Sequence, residues 1–335
     1  MLNSKFEDLK LFLKGKKILI TSHDLVDIDG LASCLVLIFF LNRFISSADV
    51  HLFLPDISNS TRNFRDKIAK KFPKTNFSLE YDIDLIDLID IILILDTNNL
   101  DQVAIPGINS LEIPIIFIDH HLNLKKNYKS NIASMNIIDD KFSSTAEIIY
   151  ELCEYFNVEL TLPNKYLLIA AILTDSGFFK HGNNDTILRI SKLLSNQLEY
   201  QEILSTLKIN KTIPEKIAKM KALQRVQLIH EGNWLIGITN VGSFEATVAS
   251  LLIKIGFDVG VVYSEKKSDY RISTRAKKNL CLKTGLHLGK ILEEVSEECG
   301  GSGGGHDGAA SLNGKSDLKI IIEKILDRIK QVLNK

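Results

Sequence analysis

The chain is poor in cysteine and has no close-spaced cysteine pair. Its four, Cys34, Cys153, Cys281 and Cys299, exclude a zinc ribbon and a dithiol redox motif and point to buried thiols in a reducing compartment. An excess of either charge is also missing. Lys and Arg number 41 against 41 Asp and Glu, so no global positive field exists to hold a long polyanion. That favours a small anionic substrate over a processive nucleic-acid track. Long apolar runs are absent: the most extended, residues 32–41, is too short to span a bilayer. The N-terminus carries Glu7 and Asp8 where a signal peptide would be apolar. A cytoplasmic protein with no membrane partner is expected, and no repeat at a fixed period is found.

What is present suffices for two domains with sizeable cores: 335 residues, 45% hydrophobic. Residues 1–190 alternate short Ile/Leu runs with helical patterns. Strands are expected at 17–22, 50–54, 91–96 and 115–119, and helices at 5–13, 30–42, 61–71, 145–156 and 164–174. Continuous apolar runs, rather than alternation, mark strands covered on both faces. The expected fold is α/β, an N-terminal doubly wound, mostly parallel sheet. Residues 191–227 read as a helical connector. Residues 228–335 read as a smaller α/β domain, with strands at 234–240, 259–263 and 269–274 and helices at 244–255, 286–297 and 316–333. Between the last two helices lies a glycine-rich run, 300–305.

Four apolar segments each deliver an acid or imidazole at their C-terminal end. Ile18-Leu19-Ile20 leads to His23, Asp27 and Asp29, with Gly30 easing the chain into the next helix. Ile91 to Leu95 leads to Asp96, Ile115 to Ile118 leads to Asp119-His120-His121, and Leu167 to Leu173 leads to Asp175. Singly, Asp27 and Asp29 read as helix caps and Asp96-Thr97-Asn98 as a turn. Together, four such groups in a fixed order are costly to desolvate unless cations pair with them. Imidazole and carboxylate without thiolate suit Mn²⁺, Mg²⁺ or Co²⁺. The expectation is a hydrolase with two divalent ions, Mn²⁺ foremost, activating water for attack on phosphorus.

The second domain reads as the substrate reader. Glycines before His306, Gly304 and Gly305 among them, can offer several N–H groups to one anion as a concave nest. Arg271 and Arg275, on or just after one strand, suit phosphate oxygens.

The ordered set His23-x3-Asp27-x-Asp29-Gly30, Asp96-Thr97, Asp119-His120-His121 and Thr174-Asp175 resembles the DHH phosphoesterase superfamily. Gly303-Gly304-Gly305-His306-x-x-Ala309-Ala310 resembles the signature of its associated C-terminal domain. Ser143-Ser144-Thr145-Ala146-Glu147 is similar to a stretch of the nanoRNase branch. The resemblance implies that His23, Asp27 and Asp96 hold one metal and that Asp29, Asp96, His120 and Asp175 hold the other. It implies that Asp119 orients His120, that His121 faces the substrate phosphate, and that Arg275 and His306 bind a phosphate. Asn98-Asn99 departs from the small or acidic residues that relatives often carry after Asp96-Thr97. The activity implied is hydrolysis of very short oligoribonucleotides, extending to adenosine 3′,5′-bisphosphate. The alternatives are a cyclic or linear dinucleotide phosphodiesterase, a RecJ-like single-strand exonuclease, a pyrophosphatase, and a nucleotide-binding regulator without catalysis. A homodimer through the first domain is implied by resemblance alone.

Overall fold

The Ile/Leu runs of the first half form one parallel sheet. A computed structural model of the protein describes residues 2–334 except 46, 76, 78–82, 123–131, 196, 209–210, 268 and 316. The chain divides into two compact units, residues 1–209 and 210–335. The first runs α1 (Leu2–Leu13), β1 (Lys17–Thr21), α2 (Ile28–Phe44), β2 (Asp49–Leu52), α3 (Asn59–Lys71), β3 (Ile91–Leu95), β4 (Ile115–Asp119), β5 (Ile137–Ile138), α4 (Thr145–Tyr155), α5 (Leu162–Asp175), α6 (Asn184–Leu193) and α7 (Tyr200–Leu207). The strand order is β2-β1-β3-β4-β5, and every neighbouring pair is parallel.

Both faces of this sheet are buried, which is why its strands do not alternate polar with apolar. Ile18, Ile20, Leu93, Leu95, Ile116 and Ile118 join the core made with α2, α4 and α5. Leu19, Ile92, Ile94, Ile115 and Phe117, one residue out of step, enter a second core with Leu100, Val103 and Ile108. That second face is covered in part by short 3₁₀ turns, Leu100–Gln102 and Ile108–Ser110. The α-helices already named contribute to the first core.

The second unit runs α8 (Ile213–Arg225), β6 (Gln227–Glu231), β7 (Trp234–Asn240), α9 (Glu245–Ile255), β8 (Val259–Lys266), β9 (Asp269–Ala276), α10 (Lys278–Thr284), α11 (Leu288–Cys299), β10 (Gly301–Gly305), β11 (Ala309–Gly314) and α12 (Leu318–Leu333). Its six strands lie in the order β10-β11-β9-β8-β7-β6, antiparallel except for β7 with β8. Ser316, the expected start of the closing helix, lies outside the described residues. Among the described residues no helix is long and apolar enough to cross a membrane.

The glycine-rich run corrects an expectation. It is a strand, not a concave nest, and pairs antiparallel with β11 from Gly301 to Gly305. Close packing explains its composition. A Cβ on Gly303 would stand 2.5 Å from the Leu292 carbonyl oxygen, and one on Gly289 would stand 2.1 Å from that of Gly305. Helix α11 therefore approaches β10 at a distance that only missing side chains allow. Gly289→Ala is expected to destabilise the protein by about 1–3 kcal/mol through overpacking, read as a fall in the denaturation midpoint. An unchanged midpoint would contradict this close approach.

Candidate metal centre

In an order of 2-1-3-4-5 the connections leave β1 and β3 in opposite directions, so a crevice opens at the carboxyl ends of those two strands. His23 follows β1, Asp96 follows β3, and Asp119-His120-His121 closes β4. Helix α2 begins at the same end, bringing Asp27 and Asp29, and α5 ends there with Asp175. All six expected ligands converge. Their ligating atoms form sets lying within 4.8 Å of one another: His23, Asp27 and Asp96; Asp29, His120 and Asp175; and Asp96, Asp119, His120 and His121. A cavity of about 400 Å³ is lined by four of the six, His23, Asp27, Asp96 and Asp175, and by Asp24, Asn98 and Gln102.

Asp96 stands at the centre. Its Oδ2 is 3.7 Å from His23 Nε2, and its Oδ1 is 3.6 Å from His120 Nε2. Its backbone adopts φ +61°, a left-handed conformation that aspartate tolerates better than most residues. Asp27 is both cap and candidate ligand: its Oδ1 accepts from the amides of Asp29 and Gly30 at 2.8 and 3.1 Å. Asp29 is buried, and accepts from the amides of Thr145 and Ala146 at 2.7 and 2.9 Å and from the Ser33 hydroxyl at 3.3 Å. The Thr145 hydroxyl donates to Asp96 Oδ1 at 3.1 Å. Gly30, expected to ease a turn, instead lies inside α2, where a Cβ would stand 2.6 Å from Ser22 Oγ and 3.4 Å from Asp96 Oδ2.

The electrostatics call for a cation. Burial, then the neighbouring Asp96, Asp175 and Asp27, push the Asp29 carboxyl well above its ordinary range. Burial, then Asp27, Asp175 and Asp119, do the same to Asp96, against a smaller lowering by the Thr145 hydroxyl. His120 is drawn the other way: burial opposes its protonation, but Asp175 and Asp29 outweigh that and raise its pKa. His120 Nε2 is buried and makes no hydrogen bond among the described residues, although Asp175 Oδ2 is only 3.1 Å away. A lone nitrogen among carboxylate oxygens, without thiolate, fits a divalent ion that accepts nitrogen and oxygen ligands.

Asp119 corrects another expectation. It turns to His121, not His120: its Oδ1 lies 2.9 Å from His121 Nδ1. Side chains two apart at a strand end share a side, whereas adjacent ones diverge. That bond holds the His121 pKa up against burial. Asn98, read in the sequence as part of a turn and as a departure from relatives, completes the arrangement. Its Nδ2 donates to Asp119 Oδ2 and to the His121 carbonyl, each at 2.7 Å.

In the second unit, β9 carries Arg271 and Arg275, four residues apart and so on one face, separated by about 13 Å. Arg275 pairs in register with Ala309, whose carbonyl accepts from the His306 amide at 2.8 Å, so Arg275 and His306 share one end of the sheet. A Cβ on Gly304 would meet nothing within 4 Å, leaving that backbone open. Arg271 sits toward the other end, opposite Asn313, in a separate cavity with Lys266 and Lys315.

Residues 17–174 match the DHH family, N-terminal domain, and residues 236–335 match the DHHA1 domain. The chain belongs to the DHH phosphoesterase superfamily. Membership and the acidic cluster make it a metal-dependent phosphoesterase that binds divalent metal. An uncharacterized protein of Methanocaldococcus jannaschii is 29% identical over 98% of this chain and 95% of its own length. An exopolyphosphatase-related protein from Bacteroides fragilis shares the fold with a TM-score of 0.69 at 19% identity, covering 99% of this chain and 98% of its own. Alanine–tRNA ligase of Bacillus subtilis is 29% identical over 37% of this chain and 15% of its own length.

Asp96→Asn should abolish hydrolysis and remove most of the rise in melting temperature that Mn²⁺ gives the native protein. Binding at a hundred times Kd stabilises by about 2.7 kcal/mol. Without metal the variant should melt no lower than the native chain, because a buried uncompensated carboxylate is gone. A native chain that Mn²⁺ does not stabilise would refute this. Asn98→Ala should lower kcat about tenfold by freeing Asp119 and His121, with Mn²⁺ affinity unchanged in a calorimetric titration. A fall in affinity instead would place Asn98 among the supports of the metal ligands.

Proposed function

We propose that the chain is a phosphodiesterase for very short oligoribonucleotides, nanoRNase-like, that also dephosphorylates adenosine 3′,5′-bisphosphate. Two divalent ions serve it, manganese ahead of magnesium or cobalt. The observation that carries the two-ion reading is Asp96, whose oxygens face His23 on one side and His120 on the other. His23, Asp27 and Asp96 would hold one ion, and Asp29, Asp96, His120 and Asp175 the second, with Asp96 bridging. Such ions acidify water and offset charge on the phosphoryl oxygens.

The protein's own groups supply the rest. Asp119, buried and hydrogen-bonded through both oxygens, raises the proton affinity of His121 and aims its ring, which could donate a hydrogen bond to a phosphoryl oxygen or to the leaving oxygen. Arg275, His306 and the open backbone at Gly304, with the closely packed Gly305 beside it, form a polar end of the second sheet suited to a terminal phosphate. Arg271, in its own cavity with Lys266 and Lys315 beside Glu245 and Asp269, would meet another part of the substrate. Zero net charge supports a substrate of few phosphates over a long strand.

The test is a Mn²⁺-dependent hydrolysis panel at equal concentrations: an RNA dinucleotide, 24-mers of RNA and single-stranded DNA, cyclic di-AMP, adenosine 3′,5′-bisphosphate and pyrophosphate. The dinucleotide should be cut fastest. Faster cutting of the 24-mers would establish an exonuclease instead, and preference for cyclic di-AMP a cyclic-dinucleotide enzyme. Arg275→Ala should raise KM for the dinucleotide about tenfold or more, the worth of a charge-assisted hydrogen bond, with kcat little changed. Loss of all activity on bis-p-nitrophenyl phosphate would place Arg275 in the chemistry.

A further inference from the structure

The two amides that hold Asp29 and the hydroxyl that reaches Asp96 all come from the first turn of α4. Ser144 caps that helix, accepting from the Glu147 amide at 3.3 Å. The Thr145 and Ala146 amides would ordinarily face solvent or a cap; here they are committed to a candidate metal ligand. Where they stand decides where Asp29 and Asp96 stand.

Behind this turn lies an ion pair whose place in the fold stability alone does not explain. Glu147 is fully buried. Its Oε1 accepts from the Ser143 hydroxyl at 2.8 Å, and its Oε2 accepts from Arg189 Nη1 at 3.1 Å and from the Ser143 amide at 3.4 Å. Arg189, on α6, also donates through Nε to Glu151 Oε1 at 2.6 Å and lies 4.8 Å from the Phe142 ring centroid. Asn183, the cap of α6, donates to the Lys141 carbonyl at 3.0 Å. The approach to α4, residues 141–144, is thus pinned from α6 by side chains. A buried ion pair gains little over apolar packing of equal volume, because both partners lose their water. What it does supply is a fixed register, and this pair fixes the turn that holds Asp29 and Asp96.

We propose that Glu147 and Arg189 are positioning residues of the metal centre, acting through Thr145 and Ala146 to set metal affinity. Neither touches a candidate ligand. The proposal rests on the metal-centre reading and is independent of the substrate.

The test measures the Mn²⁺ dissociation constant of the full chain, by the electron paramagnetic resonance signal of free Mn²⁺, for Glu147→Gln, Arg189→Met, Arg189→Lys and Thr145→Val. Melting temperature without metal is recorded alongside. Glu147→Gln and Arg189→Met should weaken Mn²⁺ binding by about ten- to a hundredfold, the usual effect of losing a group that supports a ligand. Hydrolysis of bis-p-nitrophenyl phosphate should recover at saturating Mn²⁺. Arg189→Lys keeps the charge but loses the fork, and should fall between. Thr145→Val removes a single hydroxyl and should weaken binding even if the other variants fail to fold. Native affinity in folded variants, whatever their melting temperature, would make the pair a support of the fold only and overturn the proposal. A native chain that binds no Mn²⁺ would overturn the metal centre as well.

Discussion

Uncompensated negative charge at the carboxyl ends of a parallel sheet is the constraint on which the first unit depends. Asp29, Asp96 and Asp119 are 1%, 5% and 0% exposed, and among the described residues no lysine or arginine forms an ion pair with any of them. Taking a carboxylate out of water costs several kcal/mol even after relaxation. The protein offsets part of that with donors: amides of α4 for Asp29, a hydroxyl for Asp96, Asn98 and His121 for Asp119. The rest stays as carboxyls held toward their neutral form. Such a site is balanced for an ion that supplies positive charge.

The topology makes that concentration of charge possible. The reversal of connections between β1 and β3 leaves a crevice, and the described helices beside it contribute ends to it. Helix α2 offers its N-terminal cap, α4 its first-turn amides and α5 its last residue. The apolar faces of these helices pack in the same core as the sheet. Stability and chemistry thus occupy different parts of the same elements. One substitution in the crevice can then change metal affinity without emptying the core.

Much of this was legible in the sequence, for a reason that also marks the limit. Runs such as Ile91 to Leu95 read as buried strands because both faces are covered, so every residue reports its environment. The acids that follow stand out against that background, and the six candidate ligands do converge. Gly301 to Gly305 was not legible as a strand: its composition is that of a linker, and only the approach of α11 makes glycine a packing requirement. The partner of Asp119 was open to reading from the two-residue period of a strand end, which favours His121. The part played by Asn98 was hidden, since an amide after Asp96-Thr97 also suits a turn.

Glu147 and Arg189 show why distant supports escape a sequence reading altogether. They lie 42 positions apart, on helices that periodicity finds separately, and no spacing rule connects them. Only the packed structure shows that α6 fixes the start of α4 and that α4 in turn fixes Asp29. The charge that makes the crevice useful also drives its acids apart, so the candidate ligands hold their places through neighbours that face no ion themselves. The reach of the site is therefore set by that supporting network, which extends well beyond the atoms that face an ion.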